Sequence, residues 1–219
     1  MKSKTLVIID IETTRSADVV VNDPKPPICS FSAMAVDFNT LDPIETFNQL
    51  ILFDEERADT KILELIGYDA ARWQESAIAP LPAFRAIKKF LQKYAWFHQV
   101  SRRGMDYNTI LPVGHNLGHF DIPVLMQWAR AIREVFGINN TFLPISYLPR
   151  LDTMELANAW AVRNASFPSS FRLPDLCDHY GIQRGDHHQS DNDVDMTHKL
   201  LRYYAPILGW KEDRNNVQL

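Results

Sequence analysis

The hydrophobic pattern along the chain predicts strands and helices in alternation. Apolar runs and alternating segments typical of strands lie at residues 5–14, 28–37, 44–53, 110–113 and about 147–151. Turn residues and short connections join the second and third of these, which predicts antiparallel neighbours. A proline-rich stretch at residues 15–27 carries no periodic pattern and is expected to be irregular. The chain is therefore predicted to be an α/β domain that opens with three strands.

Apolar residues at helical spacing predict the remaining elements. The predicted helices lie at residues 62–66, 70–75, 82–96, 122–136, after residue 152, before residue 180 and up to residue 201. Gly137 is expected to end the fourth helix as a C-cap. Asp152 is interpreted as the N-cap of the next helix, with Glu155 completing a capping box. Asp191 or Asn192 is the predicted cap of the last helix, which places Asp193 in its first turn.

Composition is that of an ordinary globular protein. The 219 residues are 46% hydrophobic and 23% charged, so the chain can bury one substantial core. We expect a single domain over residues 1–219, with its core at about 5–205 and a polar C-terminal tail. A strand pattern follows Met-Lys-Ser-Lys at once and no apolar run reaches the roughly 20 residues of a membrane span. A cytoplasmic protein without a membrane partner is expected, with Cys29 and Cys177 as buried free thiols.

The charge distribution limits how the protein could bind nucleic acid. A net charge of -4 argues against a protein that coats duplex DNA, although a local basic face could hold a short strand. Residues 76–105 contain no acid, and the basic residues of this window alternate with aromatic ones. On the predicted helix at 82–96, basic side chains occupy the side opposite the apolar stripe. This side is either an ordinary solvated face or a surface for a nucleic-acid strand.

Two acidic patterns are candidates for chemistry. Asp10 and Glu12 leave the same face of the first strand, roughly 6.5–7 Å apart along the backbone. Two carboxylates on one face can bind a cation, although solvated acids at a strand end are the common alternative. Near the other end of the chain, His188 precedes Asp193 by five positions, at the start of the last predicted helix. Alone, that spacing could equally be two polar residues of a loop.

Together, these motifs resemble the DEDD exonucleases of the ribonuclease H-like superfamily, in the DEDDh subgroup that includes the polymerase III proofreading subunit and ribonuclease T. The family's Asp-x-Glu at the end of the first strand matches Asp10-Ile11-Glu12. Its Asn followed by Phe-Asp at a helix start matches Asn116 and Phe120-Asp121, and its His-x4-Asp matches His188 and Asp193. The resemblance extends from Leu6 to Leu201 and implies a mixed five-stranded sheet flanked by helices.

The resemblance also implies a mechanism. Asp10, Glu12, Asp121 and Asp193 would bind two Mg²⁺ or Mn²⁺ ions, and His188 would take the proton from the attacking water. Such ions, about 3.5–4 Å apart, stabilise both the nucleophile and the leaving oxygen of a phosphodiester. An imidazole with an ordinary pKa near 6.5 suits a general base at neutral pH. Four carboxylates in one pocket would otherwise repel one another and hold protons.

Four further residues are implied as contacts to the substrate. The family places backbone groups at positions matching Ile11 to Thr13 against the terminal nucleotide. The second motif adds Asn116 and Phe120 as substrate-binding candidates.

Two departures from the family pattern leave details open. Asn116 and Asp121 are five positions apart, whereas relatives usually have four. In the third motif His187 competes with His188, and Asp191 with Asp193, so residue type alone does not fix the register.

We therefore expect a metal-dependent 3′-to-5′ exonuclease that acts on single-stranded DNA and releases nucleoside 5′-monophosphates. RNA is the alternative substrate, because the motifs do not report which sugar is accepted. A proofreading subunit of a polymerase, a homodimer and a binding module without activity are further alternatives. A ribonuclease H-like endonuclease or transposase also clusters acids on this scaffold but lacks the His-x4-Asp and Phe-Asp pairing.

Overall fold

The computed structural model describes residues 4–184 and 190–210. Its strands are β1 Thr5–Thr13, β2 Ile28–Asp37, β3 Pro43–Leu50, β4 Phe97–Val100, β5 Asp106–Thr109, β6 Leu111–Gly114 and β7 Leu151–Asp152. Five of them form one sheet in the order β3-β2-β1-β6-β7, and β4 pairs with β5 in a separate hairpin. The long apolar strand β1 therefore lies at the centre of the sheet.

The sheet is mixed. β2 runs antiparallel to β1 and to β3, whereas β6 is parallel to β1 and to β7. The β1–β2 register pairs Asp10 with Ser32 and Glu12 with Ser30. The parallel register pairs Ile8 with Val113, which brings the end of β6 beside the acidic end of β1.

Helices cover both faces of the sheet. They are α1 Ala17–Val20, α2 Thr60–Leu65, α3 Ala70–Ser76, α4 Pro80–Tyr94, α5 Asp121–Phe136, α6 Thr153–Asn164, α7 Leu173–His179 and α8 Ser190–Tyr204. A short 3₁₀ helix, Glu55–Arg57, precedes α2. Val7, Ile9 and Ile11 pack against α4 and α5 on one face, and Leu6 and Ile8 pack against α8 on the other. Successive residues of β1 thus serve two cores, as its unbroken hydrophobicity predicts.

The long helices follow the predicted pattern closely. In α4 the apolar stripe Phe84, Ile87, Leu91 and Tyr94 is buried. The end of α5 is set by Gly137, whose φ of 62° lies in the left-handed region that glycine adopts without steric cost. Both predictions are confirmed, although α4 begins two residues earlier than expected.

Several boundaries differ from the predictions. The strand expected at 147–151 is wrong, because only Leu151 and Asp152 pair with β6; Tyr147 and Leu148 are exposed, and Pro149 lacks a backbone N–H for a ladder bond. β3 ends at Leu50 rather than at residue 53, and α1 lies within the stretch expected to be irregular. The β4–β5 hairpin was not predicted.

Two cap predictions also fail. Helix α8 begins at Ser190, so neither Asp191 nor Asn192 is its cap, although Asp193 does lie in its first turn. Glu155 does not form a capping box and instead accepts from Arg150 at 2.7 Å. Both cysteines are free and buried, as predicted. Within the described residues no helix has the length and apolar character to cross a membrane.

Candidate active site

Three carboxylates meet at the end of the central strand. Asp10 and Glu12 lie on the β1 face that packs against α8, and the first turn of that helix brings Asp193 to them. One ligand oxygen from each of the three residues lies within 4.8 Å of the others. This is the geometry expected when several acids share a hard cation.

Small side chains of β2 border the carboxylates. Cross-strand partners in an antiparallel ladder point to the same face, so Ser32 flanks Asp10 and Ser30 flanks Glu12. Both serines are buried. Strand β2 therefore closes one side of the cluster with hydroxyl groups rather than with large apolar side chains.

Asp121 reaches the same end of β1 from the opposite helix layer. It is the first residue of α5 and is 2% exposed. Its Oδ1 accepts a hydrogen bond of 3.1 Å from the backbone N–H of Ile11, the residue between Asp10 and Glu12. Asp121 lies near Asp10 but is not one of the three residues that share the 4.8 Å cluster.

Burial changes the protonation of these acids. Burial, and after it the negative charges of Glu12, Asp193 and Asp121, raises the pKa of Asp10 well above its usual range. Burial and the charge of Asp193 raise the pKa of Glu12 to about 8. Burial also raises the pKa of Asp121, although the N–H of Ile11 acts in the opposite direction. Without a cation, Glu12 would hold a proton in most molecules at pH 7, and the pKa values of Asp10 and Asp121 are shifted in the same direction.

The residues fit a divalent metal. Oδ2 of Asp10 is buried and has no hydrogen-bond partner among residues 4–184 and 190–210. A buried, unpartnered carboxylate oxygen is costly unless a proton or a cation satisfies it. Asp10, Glu12 and Asp193 offer the hard oxygen ligands that Mg²⁺ and Mn²⁺ prefer.

The loop that carries Asp121 is fixed by Asp152. Asp152 caps α6 by accepting from the N–H of Met154 at 3.1 Å, as predicted. It also accepts from the N–H of Asn116 at 2.9 Å and from the N–H of Gly118 at 3.3 Å. This second role was missed, because nothing in the local sequence links residue 152 to a loop more than thirty positions away.

Close packing fixes the start of the same loop. A methyl group added at Gly114 would come within 2.9 Å of Leu117 and 3.1 Å of the carbonyl oxygen of Ile9. Asn116 has a φ of 61°, in the left-handed region that asparagine tolerates better than most residues. The extra residue between Asn116 and Asp121 is thus accommodated in a tight, well-anchored turn.

The predicted substrate-binding residues have different environments. The side chain of Ile11 is in the core, and its N–H is engaged by Asp121. Thr13 is buried and donates its hydroxyl to the carbonyl of Arg15 at 2.9 Å. Phe120 is partly buried against the core under α5, and Asn116 is half-buried. His187 and His188 lie outside the described residues.

Solved structures show the fold class of the chain. No protein-family model matches the chain, and no curated protein matches it by sequence. A product-bound structure of exonuclease I matches with a TM-score of 0.67 at 15% identity, over 94% of this chain and 44% of that chain. The E. coli exonuclease I in complex with a dT13 oligonucleotide matches with a TM-score of 0.66 at 17% identity, over 94% of this chain and 42% of that one.

A further exonuclease I structure, described as suggesting how processivity is achieved, has a TM-score of 0.66 at 18% identity, over 94% of this chain and 42% of that chain. The chain therefore has the ribonuclease H-like fold, and the predicted mixed five-stranded sheet is confirmed. More particularly, it has the fold found in exonuclease I, and it spans less than half the length of those chains.

Proposed function

We propose that the protein is a metal-dependent 3′-to-5′ exonuclease that removes nucleoside 5′-monophosphates from single-stranded DNA. The observation that carries this proposal is the meeting of Asp10, Glu12 and Asp193 within 4.8 Å at the end of β1. The exonuclease motifs of the sequence and the fold shared with exonuclease I support the same activity.

The residues have distinct roles in the proposed mechanism. Asp10, Glu12 and Asp193 would hold divalent metal, with Asp121 supporting a second ion from α5. When bound, two such ions supply an activated water and stabilise the leaving 3′ oxygen. A ring nitrogen of His188 would take the proton of that water. The carboxylates would act on the phosphodiester only through the bound metal, because their own negative charge would repel the phosphate.

Single-stranded DNA is the proposed substrate. The E. coli exonuclease I structure holds a dT13 oligonucleotide. In this chain Phe167 is 62% exposed, so its ring is available for stacking on a base. Phe171 and Phe120 are partly buried against the cores and are weaker stacking candidates.

We also propose that residues 5–205 act as one exonuclease unit in the cytoplasm. A polymerase or a second copy of the chain as partner is a separate hypothesis. Co-purification with a polymerase, or a doubled mass in solution, would test it.

End-labelled strands test the proposed activity directly. DNA and RNA, each single-stranded and duplex, are incubated with the protein and Mg²⁺ or Mn²⁺. We expect single-stranded DNA labelled at its 5′ end to shorten from the 3′ end, with 5′-monophosphates as products. Faster loss of RNA would instead identify an exoribonuclease, and internal cuts would identify an endonuclease.

The metal ligands are tested in the same assay. EDTA, Asp10→Ala and Asp193→Asn should each abolish activity, because the metal supplies both the nucleophile and the leaving-group stabilisation. Asp195→Asn is the matched control, since Asp195 lies on the same helix and pairs with Lys199 at 2.7 Å. Degradation that continues in EDTA would exclude the metal-dependent mechanism.

A further inference from the structure

His115 joins two segments that are distant in sequence. Its Nδ1 lies 2.9 Å from the hydroxyl of Thr153, and its Nε2 lies 2.9 Å from the carbonyl oxygen of Phe171. His115 itself begins the loop that Asp152 fixes and that ends at Asp121. The imidazole therefore connects the Asp121 loop to the segment before α7.

The hydrogen-bond partners of His115 define the protonation state and the tautomer of its ring. Burial lowers the pKa of His115, against smaller opposing effects of the Phe171 carbonyl and of Asp152, which favours the neutral ring at neutral pH. A carbonyl oxygen can only accept, so the single proton must lie on Nε2. Nδ1 can then only accept, so the single proton of the Thr153 hydroxyl points to Nδ1 rather than to the carbonyl oxygen of Gly114, which lies 3.1 Å from the same hydroxyl.

The segment held by Nε2 connects α6 to α7 and presents side chains to solvent. Residues 166–174 contain no acid. The ring of Phe171 packs against the cluster formed by α6, α7 and α8, which leaves its carbonyl facing His115. On either side of it, Phe167 and Arg172 are exposed. An aromatic ring and a guanidinium suit the bases and phosphates of a strand.

We propose that His115 is a positioning residue for the substrate strand, because its imidazole fixes residues 166–172 to the loop that carries Asp121. The hydrogen bond between Nε2 and the Phe171 carbonyl oxygen holds Phe167 and Arg172 at a defined position relative to the carboxylate cluster. This inference rests on the proposed nucleic-acid substrate, but it concerns strand binding rather than hydrolysis.

Two substitutions of His115 distinguish the loss of the hydrogen bond to Phe171 from the loss of the ring itself. His115→Gln keeps an N–H donor at the distance of Nε2, whereas the shorter His115→Asn reaches only towards Thr153. His179→Asn is the matched control, since His179 is an exposed histidine on α7. The binding probe is fluorescein-labelled dT20 with Ca²⁺ in place of Mg²⁺, followed by anisotropy.

We expect His115→Asn to raise the Kd for dT20 and the KM for its digestion about tenfold, the effect of about one net hydrogen bond. The kcat should change much less. His115→Gln should restore most of the loss, and His179→Asn should behave as the unsubstituted protein. Equal effects of the Gln and Asn substitutions, or no effect of either, would overturn the proposal.

The unsubstituted protein provides an independent readout if either variant fails to fold. Hydrogen exchange at residues 166–172 should slow when dT20 is added, and the ¹⁵N shifts of His115 should report the Nε2–H tautomer. Unchanged exchange, or the Nδ1–H tautomer, would overturn the proposal. If dT20 binds in this way but is never shortened, the exonuclease function fails while the positioning role of His115 stands.

Discussion

The carboxyl group of Glu12 makes metal binding dependent on pH. Its pKa is raised to about 8, so at pH 7 most metal-free molecules hold a proton on Glu12. A divalent cation requires the ionised group, and binding must therefore release protons. We expect the affinity for Mg²⁺ to rise with pH up to about 8. Calorimetric titration in buffers of different ionisation enthalpy measures the proton release, and pH-independent affinity would contradict the prediction.

The same shift predicts how stability changes with pH in EDTA. Between the ordinary pKa of a glutamate and about 8, the folded state holds a proton on Glu12 that the unfolded state has lost. Stability therefore falls as pH rises through this window, and the raised pKa values of Asp10 and Asp121 act with the same sign. Melting curves in EDTA should show a Tm that decreases from about pH 6.5 to pH 8, above the range in which the lowered pKa values of His115 and His198 act with the opposite sign. Saturating Mg²⁺ should reduce this slope, because the ionised acids then have a partner.

The role of His188 determines how the third motif is aligned with the sequence. His188→Ala should leave fold and metal affinity intact while kcat falls about 10²–10⁴-fold, the usual contribution of a positioned general base. His187→Ala is the matched control and should do far less. If the two variants behaved in the opposite way, the motif would be shifted by one position and the pairing with Asp193 would be lost. Single-turnover rates at saturating metal make this comparison.

At the scale of elements, the site depends on the loop between β6 and α5. Asp152→Asn would replace an oxygen that accepts from a backbone N–H by an amide that donates, and one of these N–H groups would lose its partner. We expect the free energy of unfolding to fall by about 1–3 kcal/mol, the cost of an unsatisfied buried donor. Mg²⁺ affinity should fall as well, because the loop carries Asp121. The exposed Asp178→Asn, which removes only the ion pair with Arg184, should have little effect.

The elements also show what sequence can and cannot predict. β1, β2, α4 and α5 were predictable because each buries a regular set of positions, and such periodicity is a local property. Apart from the buried Thr109, the β4–β5 hairpin consists of exposed and half-buried residues that contribute little to the main core, so its sequence carries only a weak hydrophobic signal. Asp10 and Glu12 could be paired by strand geometry alone. Asp121 and Asp193 were assigned through family resemblance, and the bonds of His115 and Asp152 could not be predicted because they join segments 34 to 56 positions apart.

At the scale of the whole molecule, net charge limits how strongly the protein can bind a nucleic-acid strand. The net charge is -4, and several basic side chains are already neutralised by acids of the same chain. Within the described residues the pairs of Lys and Arg are Arg15 with Asp23, Lys93 with Glu45, Arg150 with Glu155, Arg184 with Asp178, Lys199 with Asp195 and Arg202 with Asp42. Lys88, on the basic side of α4, bonds to Asn140. The net negative charge thus opposes phosphates beyond a few local contacts, and binding should be weak and short in footprint.

Weak binding predicts distributive degradation by the 219-residue chain. Each phosphate contact on a single strand adds about 0.7 to the slope of log affinity against log salt, so a few contacts give a shallow dependence. Because base stacking is sequence-tolerant, strands of different sequence should be degraded at similar rates. Labelled strands should shorten one nucleotide at a time through a ladder of released intermediates. The measurement is a trap experiment, in which excess unlabelled strand is added after the first turnover and should stop further shortening. Complete digestion of long labelled strands in the presence of the trap would contradict the prediction, and a partner or a second copy would then have to hold the substrate.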